Sequence, residues 1–315
     1  MPNPLELLGQ LPGAVSQGLI WGIMAIGVYI TYKILDIADL TVDGSFCTGG
    51  AVCVMLLLAG YHPGAALACA FAAGLMTGLA TGFFHTVCGI SAILAGILTQ
   101  LGLWTVNLAI MGKANQPINV NVSTPLVSLR YLQETMKGTR AFYWSPIFVV
   151  GAFTACIIAL LYWFFGTERG CSIRATGANP HMARAQGINT DVNKILGLML
   201  SNGLVALSGA LLAQYQSFAD INMGRGAIVI GLAAVIIGEV LFARLFRNFA
   251  LKLLGVAFGA IVYYVVIQAV LWMQLDPNYL KLLSALVVAS FLAAPHWRGK
   301  LLSARLRAKG GGRHA

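Results

Sequence analysis

Apolar residues occupy long runs of the chain, and polar positions are concentrated between them. Taking about 20 apolar residues as the length that carries a helix across a bilayer, the runs near 13–32, 45–60, 64–84, 90–111, 145–165, 194–215, 226–243, 253–272 and 279–295 read as helical spans. The pattern predicts an all-α, polytopic membrane helix bundle of about nine to ten segments. The run 45–60 is short for a full crossing. Gly74, Gly78 and Gly82 recur at every fourth position, a spacing that lets membrane helices approach closely. Residues Met1–Gln10 lack the basic region of a signal peptide, so the first apolar stretch, Leu11–Ile30, is expected to remain as a span.

Composition sharpens this picture. Apolar residues make up 58% of the 315 positions and charged residues only 10%, against about 25% charged in a soluble domain. Between Asp43 and Lys113 there is no Asp, Glu, Lys or Arg at all. A single membrane domain, 1–296, followed by a basic tail, 297–315, is the organisation expected. The net charge of +10 raises nucleic-acid binding, but the positions of the charges decide against it. Thirteen of the twenty Lys and Arg residues lie in the loop Arg169–Lys194, the turn Arg244–Lys252 and the tail Arg298–Arg313. Loops rich in Lys and Arg are those kept in the cytoplasm, and counting spans back from the tail puts all three basic regions on that one side. The loop from Lys113 to Trp144 then falls outside despite four basic residues, and Pro117 and Pro125 suit an ordered loop there.

Catalytic and cofactor chemistry find no footing. The six cysteines form no metal-type cluster and are expected to pack inside the bundle. The histidines are scattered, so no metal or other cofactor is expected. No Ser/His/Asp set or acid pair can be placed on shared elements, and no GxxxxGK[ST] phosphate loop occurs. The chain is therefore expected not to be an enzyme.

The loop 166–193 holds the clearest local signal. Asn179 is a helix cap, Pro180 suits the first helical position and Gly187 suits the position just past the end. They bracket a helix of about two turns, too short to be stable alone in water, so it must dock on something. Thr190 and Asp191 are expected to cap the helix that follows. An ordinary connecting loop and an element that passes motion to a soluble partner both fit these residues.

The run RATGANPHMARAQGIN from Arg174 to Asn189, with the small-residue helix Ser201–Leu211, resembles the cytoplasmic signature of permeases from ATP-binding-cassette importers. The family is the one that includes branched-chain amino acid and ribose permeases. The stretches Ile34–Phe46 and Ala213–Gly224 look most like its putative tryptophan/tyrosine, or hydrophobic amino acid, branch. The resemblance runs from about residue 13 to 295. It implies a permease that pairs with itself or a homologous permease in the lipid membrane, with two cytoplasmic ATPase subunits and an extracytoplasmic solute-binding protein. It also implies that Asn179, Pro180, Ala183, Arg184 and Gly187 form a coupling helix seated in a groove of the ATPase. A hydrophobic or aromatic amino acid as solute rests on resemblance alone. The same architecture serves sugars and nucleosides.

Asp36, Asp39 and Asp43 crowd eight residues beside a span, where acids face a cavity or a partner. Asp39 and Asp43 share a face if the segment is helical. They line the translocation path, fix a broken helix, or lie in a solvated turn. Gln100 and Asn107 are candidates for path lining, although amides in membrane helices commonly bond a neighbouring helix. Glu239 is expected to pair with Arg244 or Arg247. The outer stretch with Asp220, Asn222 and Arg225 is a candidate contact for a binding protein, the start of a re-entrant segment, or a tight turn. An ion-coupled secondary transporter would use one of Asp36, Asp39, Asp43 or Glu239 as its coupling carboxylate, and a structural membrane scaffold would pass no solute. Nine full spans and a cytoplasmic tail put the amino end outside, whereas the family resemblance implies an even number. The parity is expected to break at a discontinuous helix around 36–60.

Overall fold

The computed structural model describes residues 4–118, 125–136, 145–242 and 248–272, with positions 282, 286, 289 and 290. The expected span 279–295, the tail 297–315, and Arg244 and Arg247 lie wholly or largely outside the described residues.

Among the described residues, eight helices answer to eight of the expected apolar runs. They are α1 (Pro4–Tyr29), α2 (Val42–Leu58), α3 (Pro63–Thr86), α4 (Ala92–Met111), α6 (Pro146–Gly166), α9 (Thr190–Gln216), α10 (Ala227–Phe242) and α11 (Phe249–Trp272). Six are long and apolar enough to cross a membrane, α1 being counted with the π-helical turn Ile30–Ile34 that continues it, whereas α2 and α10 are shorter. Three smaller helices, α5 (Leu129–Met136), α7 (Glu168–Ala178) and α8 (Pro180–Ala185), and two short strands complete the set. The strands β1 (Asn115–Pro117) and β2 (Phe218–Asp220) pair antiparallel, Asn115 opposite Asp220.

Local chemistry sets several starts. His62 caps α3 by accepting the Gly64 N–H on Nδ1 at 3.1 Å, with Pro63 in the first turn. Thr167 caps α7, whose first turn carries Glu168, so the basic loop holds a second helix that apolar patterning did not reveal.

The bundle is organised around α1 and α9, which are buried over most of their length, while α4 and α6 expose most of their surface. Ser201 donates to the Gly27 carbonyl and Ser208 to that of Ile20, both at 2.7 Å, so the two helices run antiparallel. The glycine row of α3 packs on α9 as its spacing suggests. A Cβ on Gly74 or Gly78 would collide with the carbonyl of Asn202 or Leu198, so only glycine admits this approach.

The two shorter helices both begin part-way along the bundle. Ser45 hydrogen-bonds Asn202 at 2.7 Å, near the middle of the 27-residue α9, and Cys53 accepts from Gln214 near its end. Helix α2 therefore runs parallel to α9 from mid-depth to the end that carries β2. The seven residues 35–41 between the π-helical turn and α2 are non-helical, long enough at about 3.3 Å each to reach from the end of α1 to that depth. Helix α10 starts beside Asp43 at the same depth and descends until Glu239 meets Lys33, at the opposite end. The discontinuity expected around 36–60 thus lies at 35–41. A second one follows β2, where 226–243 had read as an ordinary span.

Burial corrects one further expectation. Only Cys47 and Cys53 are buried, while Cys69, Cys88, Cys156 and Cys171 are exposed. An apolar stretch counts as core by composition, yet the outer faces of a bilayer bundle are equally apolar.

Candidate functional site

The three carboxylates that crowd eight residues of sequence sit in separate surroundings. Asp36 is exposed at the bend in a left-handed conformation, φ 55°. Asp39 is 2% exposed and tethers the extended segment. One of its oxygens accepts the Thr41 N–H at 2.9 Å and the other accepts Nδ2 of Asn202 at 2.7 Å. Asp43 sits in the first turn of α2 and reaches across to the start of α10. There it accepts the N–H of Gly226 at 2.9 Å and of Ile228 at 3.0 Å. Those amides are otherwise left open at a helix start, and the positive end of the helix dipole favours a carboxylate. Asp39 precedes α2 rather than belonging to it, so the shared helical face does not form. Within 35–41, Asp39 takes the Thr41 N–H, and the Leu35 and Ile37 N–H groups donate to the carbonyls of Ile30 and Thr31.

A polar ladder extends from the tether. Thr41 meets Thr81 at 2.7 Å, Thr81 donates to Thr99 at 3.1 Å, and Ser45 meets Thr77 at 2.8 Å. It joins α2, α3, α4 and α9 where two chain breaks meet. Sequence reading missed its members, although Thr77 and Thr81 stand four apart in an apolar helix. Asn202, a lone amide in a buried span, carried the stronger signal.

A cavity of about 250 Å³ lies between α2, α4 and the turn before α10. Asp43, Cys47, Gln100, Trp104, Asn107 and Arg225 contribute to its wall. Of the path candidates, the structure brings Asp43, Gln100 and Asn107 together here and leaves Asp36 and Asp39 off the wall. Asn107 is 1% exposed, and its Nδ2 donates weakly to the Gly44 carbonyl at 3.4 Å while its Oδ1 has no partner among the described residues. Arg225 is exposed and joins the cavity wall from the turn. Asp220 accepts the Asn222 N–H at 2.7 Å, a local turn, and the Asp220 and Ile221 carbonyls accept from Cys47. The segment 220–226 is thus a tight turn packed on α2. Trp104 and Cys47 had no signal in sequence, since an aromatic or small residue in an apolar helix looks like ordinary packing.

The other constellation lies at the opposite end. Asn179 accepts the Met182 N–H at 3.1 Å and so caps α8, with Pro180 in its first turn and Gly187 at φ +79° just beyond. Ala183 is buried and anchors α8, while Met182 is 63% exposed. Arg184 donates from Nε to Thr190 at 2.7 Å and pairs with Asp191 at 3.3 Å. The cap of α9 is Asn189, which accepts from the amides of Asp191 and Val192, rather than Thr190 or Asp191. Thr190 is thereby released to hold Arg184. Glu239 pairs with Lys33 at 3.1 Å across α1 and α10. Among the described residues no group of three or more His, Cys, Asp or Glu is placed to hold a metal ion.

Residues 11–292 match the family described as branched-chain amino acid transport system / permease component. The chain is 39% identical over 279 residues, 89% of each protein, to the tyrosine transport system permease protein of Clostridioides difficile. It is 25% identical to the fructose import permease protein of Rhizobium meliloti, over 77% of this chain and 65% of that one. Among solved structures it resembles a chain of PsaBC from Streptococcus pneumoniae in complex with Fab. The TM-score is 0.51 at 16% identity, covering 92% of this chain and 94% of the other, and this likeness concerns the fold.

Proposed function

Since the chain belongs to the branched-chain amino acid transport system / permease component family, and is thus the multi-pass permease component of an ATP-binding-cassette importer, we propose that it carries an aromatic or other hydrophobic amino acid into the cytoplasm. The observation that carries this reading is the 39% identity, along nearly the whole chain, to a protein named for tyrosine transport. Sugar permeases lie further away, at 25%.

The chain pairs with a second copy or a homologous permease, two ATPase subunits bind its cytoplasmic face, and an extracytoplasmic binding protein delivers the solute. The positive-inside rule puts α7, α8 and the Lys33–Glu239 pair on the cytoplasmic side. Helix α8 supports a coupling role because it is short, capped and docked through Ala183 and Arg184, with Met182 projecting. Asn179, Pro180 and Gly187 set its ends. With residues 35–41 and α2 forming one crossing and the segment 217–226 and α10 another, the described residues account for eight, and the apolar run 279–295 makes about nine by the length rule. Half-helices that start near mid-depth accompany the transport sites of membrane carriers. Asp39 has both oxygens committed to the tether, which favours a structural role over that of an ion-coupling acid.

The test is calorimetric titration of the cognate extracytoplasmic protein with the twenty amino acids, ribose and fructose. Tight binding of tyrosine, tryptophan or phenylalanine is expected. Preference for a sugar would overturn the reading.

A further inference from the structure

The cavity between α2, α4 and the turn before α10 holds one group of each charge and one amide whose oxygen is without a partner among the described residues. Asp43 spends one hydrogen bond per oxygen on backbone amides, and a carboxylate accepts about four. Arg225 takes part in none of the ion pairs among the described residues, which join Lys33 to Glu239, Arg130 to Glu134 and Arg184 to Asp191. Asn107 is buried with its Oδ1 unpartnered, and a buried acceptor without a donor is costly. The wall opens beside the exposed side of α4, where Trp104 stands 46% exposed. Charges turned toward hydrocarbon are expensive, so this opening faces water or the second copy rather than lipid.

Accepting the amino acid reading above, we infer that the cavity is the contact site for the zwitterionic head of the solute. Arg225 takes the carboxylate, Asp43 and the Asn107 Oδ1 take the ammonium, and Trp104 covers the aromatic side chain. Each pairing follows from the groups present. Guanidinium matches carboxylate geometry, a carboxylate and an amide oxygen both accept from an ammonium, and an indole face stacks on an aromatic ring. The volume of about 250 Å³ falls just under the roughly 300 Å³ of the smallest usual ligand pockets, which suits one amino acid better than a larger solute. A neutral sugar would leave both charges unanswered.

The assembled transporter in proteoliposomes, with its ATPase and binding protein, tests this by uptake of L-tyrosine. Arg225→Gln and Asn107→Ala should each lower uptake about tenfold or more, the factor that follows from losing one hydrogen bond to a charged group. Arg225→Lys should restore most of the loss. A second arm needs no variant: p-azido-L-phenylalanine photolysed on the wild-type assembly should label peptides covering 100–107 or 221–225, and excess L-tyrosine should suppress that label. Uptake unchanged in both variants, or label that L-tyrosine does not displace from these peptides, would overturn the site while leaving the amino acid function standing. Wild-type assemblies that take up no aromatic amino acid would overturn both.

Discussion

The carboxylate of Asp39 accepts a 2.7 Å hydrogen bond from Nδ2 of Asn202, 163 residues away in sequence and near the middle of the longest buried helix. That contact ties the non-helical segment 35–41 to the bundle at the depth where α2 begins. Both groups are buried: removing Asn202 leaves one Asp39 oxygen without its donor, and removing Asp39 leaves Asn202 held, among the described residues, by the Leu198 carbonyl and Ser45 alone. Asp39→Ala and Asn202→Ala should each cost about 1–3 kcal/mol, and the double variant should cost less than their sum. Thermal unfolding of the purified permease in detergent, followed by loss of the monodisperse peak, measures both.

Asp43 caps a helix to which it does not belong. Asp43→Ala should cost about 0.5–2 kcal/mol, the range for losing a capping side chain. Asp43→Asn should recover part of it, since the amide oxygen still accepts one bond. The same thermal assay separates them.

Close approach of α3 to α9 depends on Gly74 and Gly78. Gly78→Val puts side-chain atoms where the Leu198 carbonyl lies and should cost about 1–3 kcal/mol by overpacking. Gly102, where a Cβ meets nothing, should accept alanine with little change. Detergent stability of the two variants compared side by side checks the contrast.

Much of this was legible in sequence, for identifiable reasons. The ends of α8 could be read because Asn179, Pro180 and Gly187 act locally. Sequence alone places the cap of α9 one or two residues late because Asn189, Thr190 and Asp191 are all competent, and in the fold Thr190 and Asp191 are both engaged by Arg184, which local sequence does not show. Depth was not legible. An apolar run such as 226–243 looks the same whether it spans the bilayer or begins half-way, and only the bond between Asp43 and Gly226 distinguishes them. The cavity escaped for a related reason, since Trp104 and Asn107 of α4 meet Arg225 from more than a hundred residues further along the chain.

Helix α8 bears the coupling prediction. Arg184→Glu sets a second acid beside Asp191 and removes the bond to Thr190. The variant should insert normally but fail to convert ATP hydrolysis into transport. Uptake and ATPase activity measured on the same proteoliposomes check this, and transport at the wild-type level would dismiss α8 as the coupling element.

The most direct measurement is uptake of L-tyrosine into proteoliposomes holding this permease with its ATPase and binding protein. The account predicts uptake that requires ATP, persists when ionophores collapse proton and sodium gradients, and is blocked by excess tryptophan or phenylalanine. Uptake that proceeds without ATP and stops when the ion gradients collapse would contradict it.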